Sequence, residues 1–420
     1  MTGRRMDRRS LLLAGLTGAA TAAAPTVSAG DETATGTFTP SAPAIGRNLP
    51  DVVVVGAGAF GGWTALELRE RGARVTMVDV YGPGNPRASS GDESRLIRAS
   101  YGDREIYTRW ATEAFDLWQA RQEEFGRRMI YPNGSLRVMK PSELAAQRPI
   151  FDRLKLAYEL LTPEEVHRRW PQIRYDDAET IVYEPGGGVL KARESMIAVA
   201  EAIVRKGGHI RVGHALPGFG SGGMLNNVLI DGEPLNAGAF VFATGPWLPQ
   251  TLPTILGDRI RTPRREVFYI GSPRNDRRYR WEHLPNLSDL STYTASDIDY
   301  GIKVAARLAD TPIDPDDTER LPSPFLAQQV LDYVALRMPG LVGQPIVATR
   351  VCQTENSDNG HYIIDSHPDY SNVWIAGGGS GHAFKMGPVL GRYVADRVAG
   401  EPPSAELSAI FSLSSHGAAT

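Results

Sequence analysis

The chain of 420 residues has one cysteine, Cys352. It can form no internal disulfide, and a zinc centre built on several cysteines is excluded. An excess of charge of one sign is missing too. Lys and Arg number 45 against 48 Asp and Glu, a formal net charge of −3, so nothing marks a nucleic-acid surface. No apolar run reaches the roughly 20 residues needed to span a bilayer, and there is no internal repeat. What is present is a globular composition. The hydrophobic fraction is 42%, which supports a proper core, and the length suits about two domains.

The N-terminus reads as an address. Arg4-Arg5 and Arg8-Arg9 precede Ser10 and a short apolar run, Leu11 to Ala24, followed by small residues around Val27-Ser28-Ala29. A basic start, a short apolar middle and a small-residue end predict a signal peptide over 1–29. The run from Asp7 to Leu13 is similar to a twin-arginine export signal, with that export machinery as partner of the precursor. The bland alternative is a basic disordered tail. Residues 30–49, rich in Thr, Ser, Ala, Pro and Gly, are expected to be a linker. The expected destination is extracytoplasmic or secreted.

The most informative segment begins at Asp51. Four valines lead into Gly56-Ala-Gly58-Ala-Phe-Gly61, then a helix-like run from Trp63 to Arg71, then a second strand ending on Asp79. Gly56 permits a tight turn, Gly58 lets the backbone approach a pyrophosphate, and Gly61 lets the helix pack close to the strand. The helix N-terminus presents free N–H groups to phosphate. Asp79 stands where a carboxylate can accept ribose hydroxyls. Dinucleotide binding is the expectation, against a plain Gly-rich turn. The motif alone does not separate FAD from NAD.

Further along, Arg104 to Glu124 and Glu194 to Lys206 have helical apolar spacing. Ala239–Ala243 and Asn372–Ala376 are buried-strand runs, the latter entering Gly377-Gly-Gly379-Ser-Gly381-His382 and a helix-like stretch to Val398. Similar strands recur near residues 52, 75, 240 and 374 with long insertions between them. This predicts an α/β fold: a discontinuous Rossmann-like dinucleotide domain interleaved with an α+β substrate domain on a mixed sheet. The expected division is 50–120, 185–255 and 350–405 for the first, 121–184 and 256–349 for the second, and 406–420 as a tail. A second Gly-rich helix start suits FAD better than NAD, because the isoalloxazine needs a second anchor for its anionic edge.

Four more segments make the chain recognisable. They are Gly91-Asp92-Glu93-Ser94-Arg95-Leu96-Ile97-Arg98 with Tyr101-Gly102, Tyr183 to Leu190, Val351-Cys352 through His361 to Asp365, and Ser380-Gly381-His382-Ala383-Phe384-Lys385. With the opening fingerprint they resemble the monomeric sarcosine oxidase and N-methyltryptophan oxidase group of FAD-dependent amine oxidases. The resemblance covers nearly everything after residue 50. It implies FAD held at Gly56, Gly58, Gly61, Asp79, Arg95, Gly379, Gly381 and His382, and bonded covalently to Cys352. It also implies an exported oxidase of secondary, N-methylated or cyclic amino acids that passes hydride to flavin and reduces O₂ to hydrogen peroxide.

The resemblance assigns roles to residues whose plainer readings are also open. A lone Cys is more often a small buried hydrophobe. Lys303, in a strand-like run, reads by itself as a Lys on a solvated face. The family's lysine there promotes reaction with oxygen, and an ammonium about 5 Å from developing superoxide is worth about 3 kcal/mol at an effective dielectric of about 20. Arg98 and Lys385 are implied to hold the substrate carboxylate, with Arg95 and His382 beside the flavin. On local pattern alone, Arg95 and Arg98 are an i, i+3 pair on a helix face, and Lys385 is a cation placed early in the last helix.

The chain also departs from the family pattern. Thr354 replaces a pocket-walling tyrosine, which admits a larger substrate. Arg307 and Ser89-Ser90 replace histidines, and the loop at Glu93-Ser94 has an extra residue. Competing readings are a dehydrogenase using another acceptor, a non-catalytic exported flavoprotein and an NAD-dependent dehydrogenase.

Overall fold

The structure is a computed structural model that describes residues 49–306, 311–317 and 319–417. The expected signal peptide, nearly all of the expected linker and Arg307 lie outside the described residues. Among the described residues, no helix is long and apolar enough to cross a membrane.

The first valine run, Val52–Val55, is a strand buried along its whole length. A strand so apolar needs cover on both faces, and it sits in the middle of a six-stranded sheet. The order across that sheet is Ile363–Ser366, Val373–Gly377, Ala239–Phe242, Val52–Val55, Val75–Asp79 and His209–Val212. Every pair is parallel except the one made by Ile363–Ser366. The helices Ala59–Glu70 and Gly387–Val398 pack on one another with Trp63 wholly buried between them and the rest of the core.

A second, eight-stranded sheet runs in the order Ile346–Gln353, Arg264–Ile270, Ile302–Ala306, Thr292–Ala295, Asn286–Asp289, Ser135–Val138, Ile181–Glu184 and Glu159–Leu161. It is antiparallel except where Asn286–Asp289 meets Ser135–Val138. Its own core, with Phe268, Tyr279 and Leu287, lies under the helix Pro324–Arg337. That helix starts cleanly: the Ser323 hydroxyl accepts from the Leu326 amide, and Pro324 occupies the first turn, where its missing N–H costs nothing. A small sheet of Ser94–Ile97, Gly188–Lys191 and Ile130–Pro132 completes the frame around the site.

The expected fold class is the one found: a Rossmann-like sheet interleaved in sequence with a mixed-sheet region. Several local expectations need correction. Arg95 lies on a strand, Ser94–Ile97, and Arg98 follows it directly, so the two are not a helical pair. Lys385 lies in a 3-10 turn, Phe384–Met386, ahead of the helix that begins at Gly387. The expected division at residue 350 passes through the strand Ile346–Gln353, which carries Cys352 into the second sheet. Residues 405–411, most of which were expected to be tail, form a helix whose Phe411 is fully buried against Trp110 and Tyr362.

Candidate active site

A cavity of about 1580 Å³ opens between the carboxyl ends of the parallel strands and the second sheet. Ligands in open α/β sheets lie at that end. One wall is the glycine-rich turn. Gly56 has φ of +111°, and a Cβ there would stand 2.2 Å from the Ala243 carbonyl oxygen. A Cβ on Gly61 would stand 1.9 Å from the Gly56 oxygen, so the helix can approach the strand only with glycine at both positions. Gly58 precedes the helix Ala59–Glu70 without a side-chain cap, which leaves first-turn N–H groups free for phosphate.

Gly56, Gly58, Asp79, Arg95, Arg98, Cys352, Thr354, Gly379, Gly381 and His382 all line this cavity. Gly61, Lys303 and Lys385 do not. Asp79 serves the turn itself: its carboxylate accepts from the Ala57 and Tyr81 amides, each at 2.8 Å. Burial raises its pKa above the usual carboxylate value, and those amides oppose the rise.

Behind the wall lies a buried charge cluster. Lys303 Nζ donates to Asp92 Oδ2 at 2.5 Å and to the Ser94 carbonyl at 2.8 Å. Arg95 donates to the same Asp92 oxygen at 2.9 Å, and Tyr269 Oη donates to the other at 2.6 Å. Burial alone would raise the Asp92 pKa. The two cations and these hydrogen bonds outweigh it and hold the carboxyl well below its usual range. Two cations against one carboxylate leave the cluster with one net positive charge. Cys352 stands beside it; burial pushes its thiol up, and the Arg95 charge pulls the other way. Sequence reasoning did not pick out Asp92. Its left-handed backbone, φ +74°, on the loop ahead of Arg95 has no strong sequence signal, because Gly91 beside it draws the attention.

At the other end Tyr101 gathers two cations. Lys385 Nζ donates to its hydroxyl at 2.9 Å and lies 5.5 Å from the ring centre, while the Arg98 guanidinium is 5.4 Å from the same centre. Arg98 also donates to the Ser100 carbonyl. Among the described residues no carboxylate forms an ion pair or hydrogen bond with either side chain, although the buried Glu184 carboxyl lies within electrostatic reach of Arg98. Burial, then the charges of Arg98 and Arg95, push the Lys385 ammonium well below its ordinary pKa. Arg98 and Lys385 are therefore brought together as two basic side chains without an ion-paired carboxylate.

His382 has both ring nitrogens engaged. Nε2 faces the Gly360 carbonyl at 3.0 Å, so it carries the proton, and Nδ1 then accepts from the Tyr362 hydroxyl at 2.9 Å. Burial first, then Lys385, lowers its pKa to about 3, and the ring is neutral. In this state it braces the turn after Gly379, with its single N–H committed to the Gly360 carbonyl.

The residues present fit a bound FAD. Thr354 Oγ1, Glu355 Oε2 and Asn356 Oδ1, three consecutive residues of the cavity wall, are buried with no hydrogen-bond partner. Buried polar atoms without partners are costly, and a polar cofactor lying along this run satisfies them. Burial raises the Glu355 carboxyl to about 8, against backbone amides of Gly378 and Gly379 that favour its charge. At neutral pH it is protonated and can donate as well as accept. Sequence reasoning passed over Glu355, since an acid next to a threonine in a polar loop carries no pattern.

A glycine-rich turn at the carboxyl ends of a parallel sheet, facing a cavity roofed by a second sheet, defines a dinucleotide-binding enzyme of the flavoprotein type. The chain belongs to the FAD-dependent oxidoreductase (DAO) family, whose model matches residues 51–397. It is 28% identical over 358 residues to monomeric sarcosine oxidase of Streptomyces avermitilis, covering 82% of this chain and 92% of that one. It is also 28% identical to human peroxisomal sarcosine oxidase, covering 86% and 95% of the two chains. The fold is shared with a fructosamine oxidase (Amadoriase II) of Aspergillus fumigatus, with a TM-score of 0.75, 21% identity and coverage of 87% and 89%.

Proposed function

We propose that the chain oxidises the CH–NH bond of secondary amino acids, N-methylated or cyclic, with O₂ as final acceptor and hydrogen peroxide as product. The observation that carries this is Arg98 on the cavity wall with Lys385 beside it across Tyr101, neither of them, among the described residues, in an ion pair with a carboxylate. A substrate carboxylate supplies a partner for Arg98 and favours the ammonium form of Lys385. The sarcosine oxidases among the relatives support the same class of substrate. Bound FAD would supply the two-electron acceptor.

The chain's own residues then have distinct tasks. Arg98 and Lys385 fix the acid end, Arg98 with the bidentate geometry of a guanidinium. Thr354 leaves room for a substrate bulkier than sarcosine. Lys303, within its net-positive cluster, favours negative charge developing on oxygen. Cys352 is the one thiol available for a covalent bond to the flavin. The twin-arginine segment, outside the described residues, supports export as a folded holoenzyme.

One experiment tests these points together. The extracytoplasmic fraction of cells making the full chain is expected to hold a yellow protein whose colour stays in the acid-precipitated pellet. It is expected to release peroxide with N-methyl and cyclic amino acids and much less with their amides. A colourless pellet with free FAD above it rejects the thioether. Equal turnover of amides and acids rejects the carboxylate clamp. Retention in the cytoplasm rejects export.

A further inference from the structure

Arg137 is a cation on the cavity wall with no assigned task. Arg137 lies on the strand Ser135–Val138, opposite Val182 on one neighbour and Ser288 on the other. Its side chain lines the cavity. Among the described residues no hydrogen bond or ion pair reaches its guanidinium. The acids nearby are committed elsewhere. Glu184 accepts from the Ala99 amide at 2.9 Å and from the Ser100 hydroxyl. Glu143 accepts from the Lys140 amide at 3.3 Å, as part of a helix cap. Asp289 and Asp177 are both bound to Arg337. Burial, then the Arg98 charge, lowers the Arg137 pKa; Glu143 and Glu184 act the other way through space, without a hydrogen bond to the guanidinium.

We propose that Arg137 binds a second carboxylate, and hence that the substrate is an amino acid with two acidic groups. This rests on the amino-acid oxidase reading above and narrows it. Arg98 and Arg137 line the same cavity. One carboxylate bound by Arg98 leaves the Arg137 guanidinium without a hydrogen-bonded anion. A guanidinium offers two parallel donors, the number a carboxylate accepts.

The test compares glutarate with its monoamide, glutaramate, which has the same length and one charge fewer. Each is titrated into the holoenzyme and followed by the flavin absorbance. Glutarate is expected to bind about tenfold to a hundredfold more tightly, the worth of one charged hydrogen-bonded contact. Arg137→Gln is expected to abolish that ratio, and Arg137→Lys to keep part of it. Equal binding of the two ligands by the unmutated protein overturns the inference without any variant. An unchanged ratio in Arg137→Gln overturns it as well. N-methylglutamate against N-methylglutamine, read by peroxide, separates the two levels. If neither amine is oxidised but the glutarate ratio depends on Arg137, the two-acid site stands and the oxidase reading fails.

Discussion

A buried lysine gives different chemistry according to what it touches. Lys303 is paired with Asp92 and flanked by Arg95 on the same carboxylate. Its charge is not bare, and the useful quantity is the net charge of the cluster. Replacing Lys303 by Met takes that net charge from one to zero. The oxygen half-reaction is expected to slow about tenfold to a hundredfold, with reduction by substrate affected less. The variant also strands part of a buried ion pair, which costs about 3–5 kcal/mol. Asp92, held below its usual range, contributes stability that is present above its unfolded pKa near 3.8 and is lost as pH falls through its lower folded value. Without Lys303 that loss begins at a higher pH. Stopped-flow measurement of both half-reactions and thermal unfolding from neutral pH into acid check the pair of effects. A destabilised variant with an unchanged oxygen step leaves Lys303 as a structural residue only.

At the scale of elements, the parts written in a short stretch of sequence were legible. The turn Gly56–Gly61, the acid Asp79 and the long helix followed from period and spacing, the helix running from Glu105 to Phe125 and ending at Gly126 in the left-handed conformation. The C-terminal helix Ala405–Phe411 did not. Its seven residues are too few for a periodic stripe, and its reason for being helical lies elsewhere, in the aromatic group of Tyr107, Trp110, Tyr362 and Tyr393 that Phe411 joins. That group includes the tyrosine that fixes His382. Phe411→Ala is expected to cost about 3–5 kcal/mol. It should lower the unfolding temperature and loosen the turn that His382 braces, so that flavin circular dichroism changes too. A variant with wild-type stability would show that the helix is laid on the surface instead of packed into it.

For the whole molecule, the long-range pairings were the least legible. Lys303 and Tyr269 meet Asp92, and Gln353 meets the carbonyl of Arg87, only because two sheets built from interleaved segments face each other. Arg137 carries no signal in the sequence, because the cavity it lines is assembled from distant segments. The same facing of sheets buries Glu355 and gives global stability a pH dependence. A carboxyl raised from 4.5 to about 8 favours folding below 4.5 and loses that contribution as pH rises to about 8. Thermal unfolding of the wild type is therefore expected to shift downward over this range. Glu355→Gln, which keeps the shape and cannot ionise, should flatten the curve. Parallel curves for the two proteins would show that Glu355 is not the titrating group.

The order of the six-stranded sheet also sets a timetable. Its central strand, Val52–Val55, is made first, yet its neighbour Ala239–Phe242 comes much later, and the next strand outward, Val373–Gly377, later still. Parallel pairing over such separations is slow to form and leaves apolar edges open meanwhile. The wall that carries Gly379 and Gly381 is the last part of the cavity to leave the ribosome. An N-terminal export signal would thus emerge long before there is a finished pocket for a cofactor to enter. Delivery of a loaded enzyme then requires that departure wait for folding, and a route that accepts only folded cargo imposes that wait without a separate timing device.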